Sequence, residues 1–255
     1  MAFVQCDFYS ETLRKSTKMN VIIPENIPAE DEKFLYLLHG LSDDESKWSR
    51  YTSIERYAAE YNFFVIMPDG SRSFYTDAEN GANYWSFISG ELPQKIKTLF
   101  NRDCPRERTF AAGLSMGGYG ALKLGLRCPE MFAATAGLSS VTDLKSRFNS
   151  ADSASWLPEL RRIFGSPELL AERKNDLFSL AEAAVNSGKT LPKILSICGT
   201  DDFMIEDNRR FNAHMHRISY PEYFCFERPG SHTWSFWDKH IQDALEFFAN
   251  GNLPK

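Results

Sequence analysis

Three kinds of side chain in this sequence could together activate a hydroxyl group. Ser115 stands in Gly113-Leu114-Ser115-Met116-Gly117-Gly118, His232 in Pro229-Gly230-Ser231-His232-Thr233-Trp234, and two adjacent aspartates in Gly199-Thr200-Asp201-Asp202-Phe203. A serine hydroxyl is a poor nucleophile at neutral pH. It needs an imidazole to take its proton and a carboxylate to orient that imidazole. The chemistry expected of such a set is acyl transfer through a covalent acyl-serine.

The motif is short, so its setting matters. At ordinary glycine and serine frequencies, Gly-x-Ser-x-Gly arises by chance in about one chain in ten of this size. Here it falls between a short apolar run, 109–113, and a helical stretch, 117–127, which is where a nucleophile elbow belongs. Glycine is favoured two residues either side of the serine because the turn is tight. The same segment matches half of a phosphate loop, but Tyr119-Gly120 stands where Lys-Ser/Thr would be needed.

In this kind of arrangement the acid and the base follow the serine in that order. Of the five histidines, His39 precedes the serine, while His214, His216 and His240 fall within helical stretches. His232 alone lies in a late loop between strand and helix, and is the expected base. A base of this type predicts a kcat/KM that falls on the acidic side. The acid is Asp201 or Asp202; adjacency in one loop leaves both open, and the other could cap the following helix.

Negative charge developing on a carbonyl oxygen calls for two preorganised N–H donors. The elbow supplies Met116, and the loop His39-Gly40-Leu41-Ser42-Asp43 after an earlier strand supplies Leu41. Trp85, Trp156, Phe203 and Trp234, with Trp48, fall near the same loops and are expected to line an apolar substrate pocket.

The elements that must position these groups are legible as well. Residues 3–9 and 18–23 alternate as paired antiparallel strands do, whereas 34–38 and 63–67 are continuously apolar, as in strands buried on both faces. Residues 53–62 and 87–100 read as helices around a turn-rich stretch, 69–84. After the elbow come strand 132–138, an irregular insertion at 141–180, strand 193–198, helix 204–217, strand 222–226 and helix 234–249. Strands alternating with helices predict an α/β fold, a mostly parallel sheet with helices on both faces, built as one domain over 1–255.

Bulk properties narrow the partners. The net charge is −5 with no dense Lys/Arg run, which argues against nucleic acid. The apolar runs are strand-sized, and the start of the chain lacks a cationic, apolar leader, so neither membrane span nor signal peptide is expected. Five scattered cysteines, with no Cys-x-x-Cys, suit free thiols in a cytoplasmic protein. No His-Glu-x-x-His or similar metal-ligand cluster is present, so neither metal nor cofactor is expected. The aromatic content is compatible with a homodimer.

His39-Gly40-Leu41-Ser42, Met67-Pro68-Asp69, Tyr75-Thr76-Asp77, Gly113 to Gly120, Cys198-Gly199-x-x-Asp202-Phe203 and Gly230-x-His232-x-Trp234-x-x-Trp237 together resemble the esterase D family. Within it, the bacterial tributyrin-esterase-like and feruloyl-esterase-like carboxylesterases are similar over nearly the whole chain. The resemblance implies an α/β-hydrolase fold, hydrolysis of short-chain or small aromatic acyl esters, no cofactor, and Asp202 as the acid. The S-formylglutathione hydrolase branch carries Thr-Cys where this chain has Ser42-Asp43. Rival readings are an acyltransferase or thioesterase using the same residues, and a non-catalytic binding protein on the same fold. By analogy, 141–180 is a candidate lid.

Overall fold

The computed structural model describes residues 1–149 and 155–254. Its centre is an eight-stranded sheet: β1 (Ala2–Ser10), β2 (Lys15–Ile23), β3 (Lys33–Leu38), β4 (Phe63–Pro68), β5 (Thr109–Leu114), β6 (Ala134–Leu138), β7 (Lys193–Gly199) and β8 (Tyr223–Arg228). In space the order is β1-β2-β4-β3-β5-β6-β7-β8. β1 and β2 pair antiparallel, β2 joins β4 antiparallel, and the five remaining pairings are parallel.

The helices are α1 (Lys47–Tyr51), α2 (Ile54–Glu60), α3 (Tyr84–Ser86), α4 (Leu92–Phe100), α5 (Met116–Arg127), α6 (Leu144–Asn149), α7 (Leu157–Phe164), α8 (Leu169–Glu172), α9 (Leu177–Val185), α10 (Ile205–Arg217) and α11 (Trp234–Asn250). They cover both faces. Along β3, Leu35 and Leu37 point to the side where α1, α2 and α11 pack, while Phe34, Tyr36 and Leu38 point to the side of α4, α5, α9 and α10. A strand with an apolar layer on each side cannot alternate in hydropathy, which is why 34–38 is apolar throughout. This is the α/β-hydrolase arrangement that the resemblance implies.

The helix expected over 87–100 is interrupted. A π-helical turn, Phe87–Glu91, separates α3 from α4, and Pro93 sits in the first turn of α4. Proline has no N–H to return to the carbonyl four residues back, so the ladder widens just before it. The insertion at 141–180 resolves into short helices, the last reaching Val185; its residues 150–154 lie outside the described residues. Among the described residues, no helix is long and apolar enough to cross a membrane.

The strand order reverses direction at β3. The chain steps from β3 outward to β4, then returns to β5 on the other side of β3, so Leu38 pairs with Gly113. Loops leaving the C-terminal ends of β3 and β5 therefore face each other across a crevice, the position where open α/β sheets bind ligands. Buried Lys123 of α5 ties that helix to the loop after β4 and to Asn175. Its ammonium reaches the Tyr75 carbonyl at 3.2 Å, Thr76 Oγ1 at 2.8 Å and Asn175 Oδ1 at 2.7 Å.

Candidate active site

Ser115 occupies the turn between β5 and α5 with φ 53° and ψ −115°. That backbone costs a non-glycine residue on the order of 1–3 kcal/mol and persists only where its surroundings impose it. They do so here through three hydrogen bonds. Ser115 N–H donates to the Leu138 carbonyl at 2.9 Å, and its own carbonyl accepts from Tyr119 at 3.0 Å and Val141 at 3.2 Å. The flanking glycines are steric requirements. A Cβ on Gly117 would strike the carbonyl oxygens of Leu38 and His39, and one on Gly113 would strike the backbone of Gly117.

The serine meets the histidine expected from the sequence. His232 Nε2 lies 3.1 Å from Ser115 Oγ, and Nδ1 lies 3.0 and 2.9 Å from the two oxygens of Asp202. A carboxylate can only accept, so Nδ1 carries the ring proton and Nε2 is left to accept from the serine. Asp202 is 2% exposed, whereas Asp201 points to solvent. The structure thereby separates the two carboxylates.

Asp202 also accepts the Met204 N–H at 2.8 Å, in the turn that leads into α10. Burial would raise its pKa, but hydrogen bonds and charge from His232, the Met204 N–H and the Ser139 hydroxyl hold it below the ordinary value of 3.8. It stays ionised at neutral pH.

Two aromatic rings clasp the imidazole. Phe203 lies 4.5 Å from it and Trp237 4.8 Å, edge-on at 90°. Trp237 is itself anchored, its indole N–H donating to Ser139 Oγ at 3.2 Å. Phe203 is 54% exposed and, with Trp156 at 6.2 Å, Trp234, Trp237 and Leu114, it walls a cleft of about 350 Å³ over Ser115 and His232. Gly40, Leu41, Ser42 and Asp43 also line it. Met116 opens α5, and the first N–H groups of a helix have no carbonyl one turn back to meet.

A larger groove of about 810 Å³ runs between the β1–β2 hairpin and α1–α2, lined by Met1, Phe3, Arg50 and Arg56 among others. It holds neither the serine nor the imidazole, so the smaller cleft is the candidate site.

Of the five expected pocket residues, Trp156, Phe203 and Trp234 reach the cleft; Trp48 is buried, its indole N–H donating to the Leu38 carbonyl at 3.0 Å, and Trp85 lies elsewhere. Its ring stacks on Arg127 at 3.8 Å and faces Lys123 at 4.9 Å, in a separate depression with Leu126 and Cys128. Arg127 lies at the far end of the helix that begins at Met116, roughly 16 Å along its axis at ~1.5 Å per residue. Proximity of 85 to a turn-rich segment carried no information about which end of α5 that segment packs on.

Sequence reading missed Trp237 as a wall of the cleft and Arg72 altogether. Trp237 stands one helical turn after Trp234, a spacing that could have revealed it. Arg72, in the loop after β4, forms a two-pronged pair with Glu159 of α7 at 2.8 and 2.6 Å and reaches the Leu41 carbonyl at 3.3 Å. Its only sequence signal is its place at the C-terminal edge of the sheet.

A family model for esterases matches residues 10–248. An acetyl esterase of Caldicellulosiruptor saccharolyticus is 32% identical over 266 residues, spanning 98% of this chain and 98% of that protein. The solved structure of the fluorophosphonate-binding serine hydrolase F of Staphylococcus aureus is similar at TM-score 0.87 and 32% identity, covering 98% of both chains. An S-formylglutathione hydrolase of the same organism is similar at TM-score 0.85 and 33% identity, covering 98% of this chain and 99% of that one.

Proposed function

Since the chain belongs to the esterase family and is a carboxylic ester hydrolase, we propose that it works through Ser115, His232 and Asp202 as a catalytic triad on short-chain or small aromatic acyl esters. The observation that carries this reading is the unbroken hydrogen-bonded series from Ser115 Oγ through His232 to Asp202. His232 Nε2 accepts the hydroxyl proton as Oγ attacks the ester carbonyl. Asp202 keeps the tautomer and stabilises the imidazolium. The N–H groups of Leu41 and Met116 take the oxyanion, the alcohol leaves with the proton from His232, and water repeats the sequence to free the acid.

The size and chemistry of the cleft favour small, neutral substrates. It is about 350 Å³ with aromatic walls, which suits a short or single-ring acyl group. Asp43 lies on its rim, and burial pushes that carboxyl up. Arg72 is the one cation among the described lining residues, and Glu159 already engages it. A glutathione thioester brings two carboxylates to such a rim, where the described residues offer no unengaged cation. That disfavours the thioesterase reading despite the similarity to an S-formylglutathione hydrolase. Five cysteines, all free thiols, support a cytoplasmic setting.

Hydrolysis of p-nitrophenyl esters from acetate to laurate, wild type beside Ser115→Ala, tests the proposal. The expected outcome is activity that peaks at short chains and falls by a factor of about 10⁶ in the variant. Activity on a glutathione thioester but on no oxygen ester would replace the substrate assignment. Ester formation with an added alcohol in place of hydrolysis would make the protein an acyltransferase.

A further inference from the structure

His39 closes β3, and its side chain takes no part in the proton transfers above. It is nonetheless 1% exposed and held at both ring nitrogens. Nε2 lies 2.8 Å from the backbone nitrogen of Gly70. An amide N–H can only donate, so Nε2 is unprotonated and the ring proton is on Nδ1. Nδ1 lies 2.7 Å from the Gly40 carbonyl oxygen and donates to it. Burial lowers the His39 pKa, against the opposing pull of the Gly40 carbonyl and of Asp69, Asp43 and Asp44, which keeps the ring in the neutral form this pattern requires.

The Gly40 carbonyl belongs to the same planar peptide unit as the Leu41 N–H. In a trans peptide these two bonds point in opposite directions, so whatever aims one aims the other. Glycine at position 40 leaves that plane freer to rotate than any other residue would. Its direction must therefore come from outside. The Asp43 N–H also meets the Gly40 carbonyl, at a longer 3.2 Å, and Tyr75 Oη holds the preceding carbonyl, that of His39, at 3.0 Å. His39 makes the shortest of these bonds, and its other ring nitrogen is tied to the Gly70 loop.

We propose that His39 is a positioning residue for the oxyanion hole: its Nδ1–H pins the Gly40 carbonyl and so directs the Leu41 N–H into the space above Ser115, while Nε2 anchors the ring on the Gly70 loop. The assignment rests on Leu41 being an oxyanion donor. It adds a residue whose contribution is to kcat, because the aim of a donor matters most when charge develops on the oxygen.

Two substitutions divide the ring's bonds. In His39→Asn the side-chain NH₂ replaces the Nδ1–H and still reaches Gly40, but nothing reaches Gly70. In His39→Gln the longer side chain offers its oxygen to the Gly70 N–H and leaves the Gly40 carbonyl unheld. With p-nitrophenyl acetate as probe, His39→Gln should lose about 10- to 100-fold in kcat with KM nearly unchanged, part of the 10²–10³ that follows removal of a donor outright. His39→Asn should stay within about fivefold of wild type. Equal losses in the two variants, or a lowered melting temperature with kcat unchanged, would overturn the proposal.

Nitrogen-15 NMR of the wild-type protein provides a measurement free of folding effects. It should show His39 as the Nδ1–H tautomer, and an Nε2–H tautomer would overturn the proposal equally. Ser115→Ala in the same assay separates the two levels of inference. If that variant stays active, the mechanism on which the assignment rests fails, and the His39 assignment fails with it.

Discussion

The two walls of the crevice are held by different physics. On one side, the Ser115 turn is enforced by hard contacts within a few residues and the neighbouring strand. Gly113 and Gly117 have no room for a Cβ, and the backbone of Ser115 is locked at φ 53° by its own main-chain hydrogen bonds. On the other side, the His39–Leu41 loop is held by side chains from far along the chain. The His39 ring is tied to Gly70, Tyr75 Oη to the His39 carbonyl, and Arg72 to the Leu41 carbonyl. Arg72 in turn is fastened to Glu159, 87 residues away. A wall made by sterics tolerates no change, while a wall made by hydrogen bonds can be loosened one bond at a time. Nucleophile and oxyanion donor should therefore fail in different ways.

The largest contrast should come from Gly117→Ala. Its methyl has only carbonyl oxygens to displace, so α5 must shift off β3, and we expect a loss of about 3 kcal/mol or more in urea unfolding together with most of the activity. A stable, active Gly117→Ala would show that the turn is softer than its contacts imply.

A smaller and selective effect is expected of Arg72→Ala. The pair with Glu159 is at the surface, half open on the arginine side, so its loss should move stability by less than about 1 kcal/mol. Because the same guanidinium holds the Leu41 carbonyl, kcat should still fall about three- to tenfold. Stability lost without change in kcat would reduce Arg72 to a strut for α7.

The subtlest effect is on pH dependence. The His39 pKa is below its ordinary 6.5 in the folded protein, so as pH falls through 6.5 the unfolded chain takes up a proton that the folded chain refuses. The contribution of the neutral ring is fully present above pH 6.5 and is lost progressively below it. Asp202, lowered from 3.8, behaves alike at more acidic pH, its contribution present above that value and lost beneath it. Urea midpoints measured at pH 7.5 and 5.5 should drop more in wild type than in His39→Asn, which has nothing to titrate at that position. Parallel drops would mean that the ring does not remain neutral in the fold.

What could be read without coordinates follows the same division. The elements, their order and the Ser115 turn depend on hydropathy period, on proline and glycine, and on steric rules acting over a few residues, and all of these are written locally. His232 was identifiable because the other histidines precede the serine or fall in helical stretches. Asp201 and Asp202 share a loop and a chemistry, so residue type and spacing left both open; the resemblance implied Asp202, and burial beside His232 sets it apart in the structure. Trp85 misled for the converse reason. It neighbours the right segment in sequence, but α5 is long enough to carry its contact to the far end of the sheet.

The amino-acid sequence by itself determined the α/β alternation, the elbow that presents Ser115 and the chain order of nucleophile, acid and base, because each follows from local backbone preference and side-chain chemistry. Tertiary structure alone decided which aromatic rings wall the cleft, and how His39, Gly70, Arg72 and Glu159 brace the Leu41 loop. Those choices depend on the meeting of strand ends across the β3/β5 reversal, where residues tens of positions apart come within hydrogen-bonding distance and no local pattern records their approach.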